Sequence, residues 1–589
     1  MPNLNFFSLL FLISLTLSLL PPFFQGSLNL LYFSHSFFQL LASTSILLVF
    51  DRLLKKSRFH RIFIITAFFL FVLGVTHFTL ARLMDTTAGY LFQFLFGGGI
   101  SNLLPAWQAL NLNAWMIASV GLILAGIPLG AIYFYRITDP KMQLSFAPIL
   151  FCLAIGVFAE FLLPPLSKKD HSLPWGITPI QKKQTLVSLP HPIQKARNEF
   201  DTLQNLSHHL FQADRLPNIY LFIIESFRRD FVTAEIAPTL HAFGKSGLVP
   251  DKTHANANST FPSWFSILHA DFPHHWAEMR DAWKEGSIPL KILKNLGYEL
   301  FVYSSADLSY FHLDDLLFGE KRKLIDSIFE AKGQEVWAKD ASCIDRFEQT
   351  FTKSGRISIF FLDSTHSEYS IPPDFPAPFQ PAPERIDYLI LDPRNVEPLK
   401  NRYRNSVRYV DSLFSRFLTI LKTHRALDEA MIVVTGDHGE EFFEDGSLFH
   451  GTHLNEAQTA VPILYQLPSF LGQAHAQNST HIDILPTILH AITKNHDFSD
   501  LFDGESLFYQ NRRPYRLAIH HNCASPPNEF LIETDQGPCH FKQLDDQTLE
   551  IVSGSFPWNA ALHLLIGEHA ITNPAQKDSS STKASLGSP

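Results

Sequence analysis

The sequence predicts a five-helix transmembrane domain followed by an α/β domain whose mostly parallel central sheet is sandwiched by helices. Five long apolar segments are confined to the first 165 of 589 residues. Beyond Ser167 the chain turns charged and rich in Pro and His, and short apolar runs there alternate with stretches of helical period. A chain of this length exceeds one compact core, so at least two structural units follow. The expected organisation is a transmembrane domain over 1–165, a linker over 166–215, a main soluble domain over 216–510, a C-terminal extension over 511–570 and a disordered tail over 571–589.

The apolar segments are 6–24, 28–50, 62–81, 114–135 and 146–163, against the roughly 20 helical residues a bilayer requires. Up to Leu54 the only formal charges are Asp51 and Arg52. The first segment lacks the basic leader and small-residue cleavage site of a signal peptide, so it is expected to stay as a span. Orientation follows from basic residues in short loops. The stretch 51–61 holds Arg52, Lys55, Lys56, Arg58 and Arg61, the densest positive run in this half, and is expected to face the cytoplasm. The fifth span then delivers everything after Leu163 to the far side. The apolar piece 90–99 is too short to span, ends in three glycines and is expected to be interfacial or re-entrant. Lys168, Lys169, Lys182 and Lys183 lie in the polar linker, either near anionic headgroups or simply solvated.

A net charge of -9 and a pI near 6.3 exclude the concentrated basic face of a nucleic-acid binder. Four cysteines are too few for a disulfide scaffold and lack metal-finger spacing, which leaves Cys523 and Cys539 as either a late pair or two free thiols.

Buried strands are expected at 218–224, 299–303, 357–362, 431–435 and 461–465. Tyr403, Val407, Val410, Phe414, Phe417 and Leu421 recur at steps of four and three and mark one face of a helix. In open α/β sheets, ligands gather at the carboxyl ends of strands. Here the ends read Glu225-Ser226, Asp363-Ser364-Thr365-His366 and Thr435-Gly436-Asp437-His438-Gly439-Glu440. If they converge, Glu225, Asp437 and His438 supply two carboxylates and an imidazole, a donor set for one divalent ion such as Zn, Mn or Mg. In Asn258-Ser259-Thr260-Phe261-Pro262-Ser263, Pro262 suits the first turn of a helix. That leaves Thr260 at the helix amino terminus, either as a nucleophile activated by the metal or as an ordinary cap. An isolated Asp-His-Gly is equally at home in a turn.

Ile223-Ile224-Glu225-Ser226-Phe227, Thr260-Phe261-Pro262-Ser263, Thr435-Gly436-Asp437-His438-Gly439-Glu440, Phe449-His450-Gly451 with Glu456 and Val461-Pro462, and His481-Ile482-Asp483-Ile484-Leu485-Pro486-Thr487 occur in the order seen in sulfatase-like, alkaline phosphatase-like domains. The resemblance covers roughly 216–510. With five apolar segments in front, the chain resembles the branch holding lipoteichoic acid synthases, phosphoethanolamine transferases and five-helix inner-membrane proteins of the YejM/PbgA type. The resemblance implies that Glu225, Thr260, Asp437 and His438 bind the metal, that Thr260 is the nucleophile, and that His366 and His450 recognise substrate phosphate. For His453 a surface-loop role stands beside a substrate-binding one. Arg228, with Arg229, is a candidate for an anionic substrate or a solvated face.

Sulfatases proper carry Cys or Ser at the position of Thr260, which is converted to an aldehyde; Thr cannot be so converted. The resemblance therefore implies phosphoryl transfer through a phosphothreonine, on lipid headgroups or lipid-linked envelope substrates at the outer face of a bacterial inner membrane. The alternative is a sulfatase-fold lipid or lipopolysaccharide sensor or scaffold.

Overall fold

The structure, a computed structural model, describes residues 6–18, 30–84, 126, 128–133, 135–136, 146–162, 185–189, 199–206, 211–309, 312–333, 335–352, 355–386, 395–468, 478–493, 498, 500–510, 512–520, 529–545 and 547–566. The chain forms two compact units.

The first unit comprises 1–183, 383–400 and 441–452. Its described helices include Phe6–Ser18, Leu30–Leu54, His60–Met84 and Phe146–Leu162. Among the described residues one helix, Ser34–Leu54, is long and apolar enough to cross a membrane; Phe6–Thr16, His60–Val75 and Phe146–Ala159 are shorter apolar stretches. The expected count of five spans is thus not established: most of 114–135, and all of the glycine-ended piece 90–99, lie outside the described residues. Gly156 packs against the backbone of Phe38 and Ala42, and a Cβ there would lie 2.8 Å from the Phe38 carbonyl oxygen. A small residue at such a crossing lets two apolar helices close together. At the far end of the same helix pair, Asp51 accepts from Tyr135 at 3.0 Å and pairs with His60 at 2.7 Å.

The second unit holds a six-stranded sheet. Its strands are β1 (Ile219–Ile224), β2 (Glu299–Ser304), β3 (Ser327–Glu330), β4 (Arg356–Leu362), β5 (Met431–Gly436) and β6 (Ile463–Gln466), in the order β6-β5-β1-β4-β2-β3. All neighbours are parallel except the β6–β5 edge pair. All six residues of β1 are buried, as a central strand covered on both faces requires. On one face Phe222 stacks on Phe360 with centroids 4.3 Å apart, and Phe347, Phe414 and Phe417 of the helices Val336–Thr350 and Glu397–Thr423 close around them. The 403–421 stripe is the buried face of the second of these helices. On the other face, Ile219, Leu221 and Ile223 join a core that includes Trp264, whose ring lies 4.2 Å from that of Phe361.

Most expected strands fall within a residue or two of those observed. Ser327–Glu330 was not anticipated: four half-buried residues at a sheet edge carry too short a pattern. The 511–570 region builds an antiparallel five-stranded sheet. Its edge strand, Thr185–Ser188, comes from the segment expected to be linker and pairs with Thr548–Gly554. Cys523 and the tail beyond 566 lie outside the described residues.

Candidate metal centre and nucleophile

The sheet register assembles the site. Ile224 at the end of β1 pairs with Leu362 of β4 and Gly436 of β5, so Glu225, Asp363 and Asp437 leave three adjacent strands at one level. Glu225 N–H donates to the Leu362 carbonyl at 2.9 Å and Asp437 N–H to the Ile224 carbonyl at 3.1 Å, extending the ladder one step. Ser226 then turns into the left-handed region, φ 52°, a conformation uncommon for a residue with a side chain. That turn aims its N–H at Asp437 Oδ1, 2.9 Å away. Tyr403 holds the turn by donating to the Ser226 carbonyl at 2.7 Å and accepting from Arg228 N–H at 3.1 Å. The glycines around Asp437-His438 serve close approach: a Cβ on Gly436 would run into the Phe227 carbonyl, and one on Gly439 into that of Ala457.

His438 Nδ1 faces the Gly439 carbonyl at 2.9 Å. A carbonyl only accepts, so Nδ1 carries a proton and Nε2 is the ring atom turned toward the carboxylates. Nε2 lies 3.1 Å from Glu225 Oε1, 3.5 Å from Asp437 Oδ2 and 3.3 Å from Thr260 Oγ1. Asp437 and His438 are fully buried, Glu225 is 6% exposed, and Asp437 Oδ2 has no hydrogen-bond partner. Burial, followed by repulsion from Glu225, holds the Asp437 carboxyl well above the ordinary carboxylate range. Two carboxylates and an imidazole thus converge on one buried point. A divalent ion is the group that reverses this repulsion, and the donor set suits one.

Thr260 opens the helix Thr260–His269, as the position of Pro262 predicts. The cap itself is Ser259, and it makes no side-chain cap bond. Thr260 Oγ1 instead lies 3.3 and 3.4 Å from the Glu225 carboxylate oxygens. The helix-cap alternative for Thr260 is therefore corrected: its hydroxyl belongs to the carboxylate–imidazole set.

His366 is exposed in the turn after β4, which is held by Asp340 accepting from Asp363 N–H and Ser364 N–H at 2.9 Å each. His450 follows the short hairpin of Glu441–Phe442 and Leu448–Phe449, a segment belonging to the first unit. His453 is half-buried, and its carbonyl accepts from Asn258. Arg228 is buried rather than solvated. Its guanidinium forks onto Asp230 at 2.9 and 2.8 Å and donates to the Glu440 carbonyl at 2.8 Å, so it braces the loop after Glu225. Sequence inspection missed Tyr403, taken only as helix core, and Thr365, whose hydroxyl donates to the Glu225 carbonyl. His481, visible in the sequence only as part of a motif with no role of its own, donates through Nε2 to the Gly436 carbonyl at 2.8 Å, and burial pushes its imidazole pKa down to about 3.

Fold and site together define an α/β domain that gathers two carboxylates, an imidazole and a threonine hydroxyl at the carboxyl edge of its sheet. Residues 217–494 match the sulfatase family model. A 74-residue stretch is 35% identical to phosphoethanolamine transferase EptA of Salmonella typhimurium, covering 12% of this chain and 14% of that protein. The chain is also similar to the lipooligosaccharide phosphoethanolamine transferase A of Neisseria meningitidis, with 13% identity, 84% and 96% of the two chains covered, and a TM-score of 0.47. For the lipoteichoic acid synthase LtaP of Listeria monocytogenes the values are 16%, 63% and 94%, and 0.43.

Proposed function

We propose that this protein is a membrane-anchored, metal-dependent phosphoryl-transfer enzyme that uses Thr260 to attack phosphorus in a lipid headgroup or lipid-linked envelope substrate. The observation that carries the proposal is the placement of the Thr260 hydroxyl within 3.4 Å of Glu225 and His438 when its own helix makes no use of it. The local likeness to a phosphoethanolamine transferase favours headgroup chemistry over sulfate ester hydrolysis, and Thr in place of Cys or Ser favours it further.

Glu225, Asp437, His438 and Thr260 would hold one divalent cation, which when bound lowers the pKa of the threonine hydroxyl and offsets charge on the phosphoryl oxygens. Thr260 Oγ1 bonds to phosphorus as the bond to the leaving alcohol breaks, and the alcohol departs with a proton. The resulting phosphothreonine is resolved by a second alcohol or by water, which regenerates the hydroxyl. His366 is proposed to recognise the phosphoryl group. A bilayer-tethered site would meet lipid substrates at high effective concentration, with the soluble unit on the outer face of the inner membrane.

The experiment is headgroup release by the full-length protein from micelles of phosphatidylethanolamine or phosphatidylglycerol, with and without chelator. Release that is metal-dependent and lost in Thr260→Val supports the proposal. Selective lipid binding without release, unchanged by chelator, would favour the sensor or scaffold instead.

A further inference from the structure

The chain leading into Thr260 is bound to the C-terminal sheet. Ala257 bridges Ile519 in parallel, Ile519 N–H donates to the Asn256 carbonyl at 2.9 Å, and the Asn256 amide donates to the Leu517 carbonyl at 2.8 Å. Residues 254–258 thus run beside the edge strand Tyr515–His520, and Asn258, fully buried, ends that run two residues before the hydroxyl.

Every polar atom of the Asn258 side chain has a partner, and the orientation of the amide follows from main-chain groups whose roles are not interchangeable. Its Nδ2 lies 3.0 Å from the His453 carbonyl, which only accepts, so the nitrogen must face that way. The second Nδ2 hydrogen meets Gln458 Oε1 at 3.0 Å, and Gln458 is oriented in turn because Oε1 accepts from His453 N–H at 3.2 Å. Asn258 Oδ1 therefore points the remaining way, to His520 Nδ1 at 3.1 Å. An amide oxygen only accepts, so His520 Nδ1 carries a proton whether the ring is neutral or charged.

We infer that His520 is a positioning residue for Thr260, acting through Asn258: its Nδ1–H completes the bonding of a buried side chain that joins the nucleophile segment, the 453–458 segment and the C-terminal sheet. The inference rests on Thr260 being the nucleophile and assigns the C-terminal sheet a task in the reaction, as the element that sets where the hydroxyl stands. Loss of that donor leaves a buried carbonyl unpaired and frees the segment to shift. A displacement on the scale of 1 Å at a nucleophile lowers turnover on the order of 100-fold.

The substitutions that test this follow from the ring geometry. The amide nitrogen of Asn falls where His Nδ1 lies, whereas that of Gln falls where Nε2 lies. In the full-length protein in detergent, with fluorescent phosphatidylethanolamine as the probe, His520→Ala should lower kcat by about 10- to 100-fold and leave KM within about twofold. Amide hydrogen exchange over 255–262 should quicken in the same variant. His520→Asn should restore both to within about threefold of the parent, and His520→Gln should restore neither. Unchanged exchange and kcat in His520→Ala, or an Asn variant as impaired as Ala, would overturn the inference. If the unsubstituted protein turns over no lipid, the phosphoryl-transfer proposal is what fails, and the exchange pattern alone then decides whether His520 orders the segment.

Discussion

Thr260 Oγ1 lies 3.3 Å from His438 Nε2, and the same nitrogen lies 3.1 Å from Glu225. The hydroxyl is thus a member of the donor set and takes no part in closing its helix. Thr260→Ser, which retains the oxygen, should keep measurable turnover, whereas Thr260→Val should lose several orders of magnitude. Because no cap bond disappears, the Val variant should unfold within about 1 kcal/mol of the parent. Lipid turnover and thermal unfolding, measured side by side, check both halves.

Asp437 is a proposed ligand whose Oδ2 is buried with no hydrogen-bond partner among the described residues. Elemental analysis should find about one equivalent of a divalent metal in the parent and none in Asp437→Ala. Asp437→Asn should also lose the metal, yet in the metal-free state it should be at least as stable as the parent, because a buried carboxylate facing Glu225 has been removed. Metal content unchanged in both variants would reassign the ligands.

The sequence made the core of this site visible because its residues sit where strand periodicity stops. Glu225, Asp437 and His438 follow β1 and β5 directly, and Pro262 marks the helix that begins at Thr260. The supports were not visible. Tyr403 reaches Ser226 across 177 positions and His520 reaches Asn258 across 262, and neither carries a local pattern that distinguishes it from core or surface. Arg228 illustrates the converse: a cation beside a metal ligand suggests anion binding, but an acid two residues later takes its guanidinium. The antiparallel placement of β6 escaped for a related reason, since a short buried run encodes burial and not direction.

The basic stretch 51–61 should face the cytoplasm and the α/β domain the opposite side. An alkaline phosphatase reporter fused after Ser167 should be active and one after Arg58 inactive. The reverse pattern would contradict both the orientation and access to outer-leaflet lipids.

Glu529 provides a pH signature in the C-terminal sheet. Burial pushes its carboxyl up, but the His540 imidazole 3.0 Å away, with the charges of His520 and Lys542, lowers it from 4.5 to about 2. A carboxyl depressed by folding contributes stability that is complete above its unfolded pKa and is lost as pH falls through the folded value. The parent should therefore lose on the order of 2–3 kcal/mol from this group as pH falls from 4.5 toward 2. Glu529→Gln should be less stable at pH 7 and show a shallower acid limb in thermal unfolding.

The central claim is that Thr260 becomes covalently phosphorylated. Intact-mass measurement of the full-length protein after brief exposure to phosphatidylethanolamine or phosphatidylglycerol, with fragmentation to locate any adduct, tests it most directly. A headgroup-phosphoryl adduct on Thr260, absent in Thr260→Val and after chelation, is the expected result. Headgroup release by the parent with no adduct at any quench time, and with turnover retained in well-folded Thr260→Val, would contradict it.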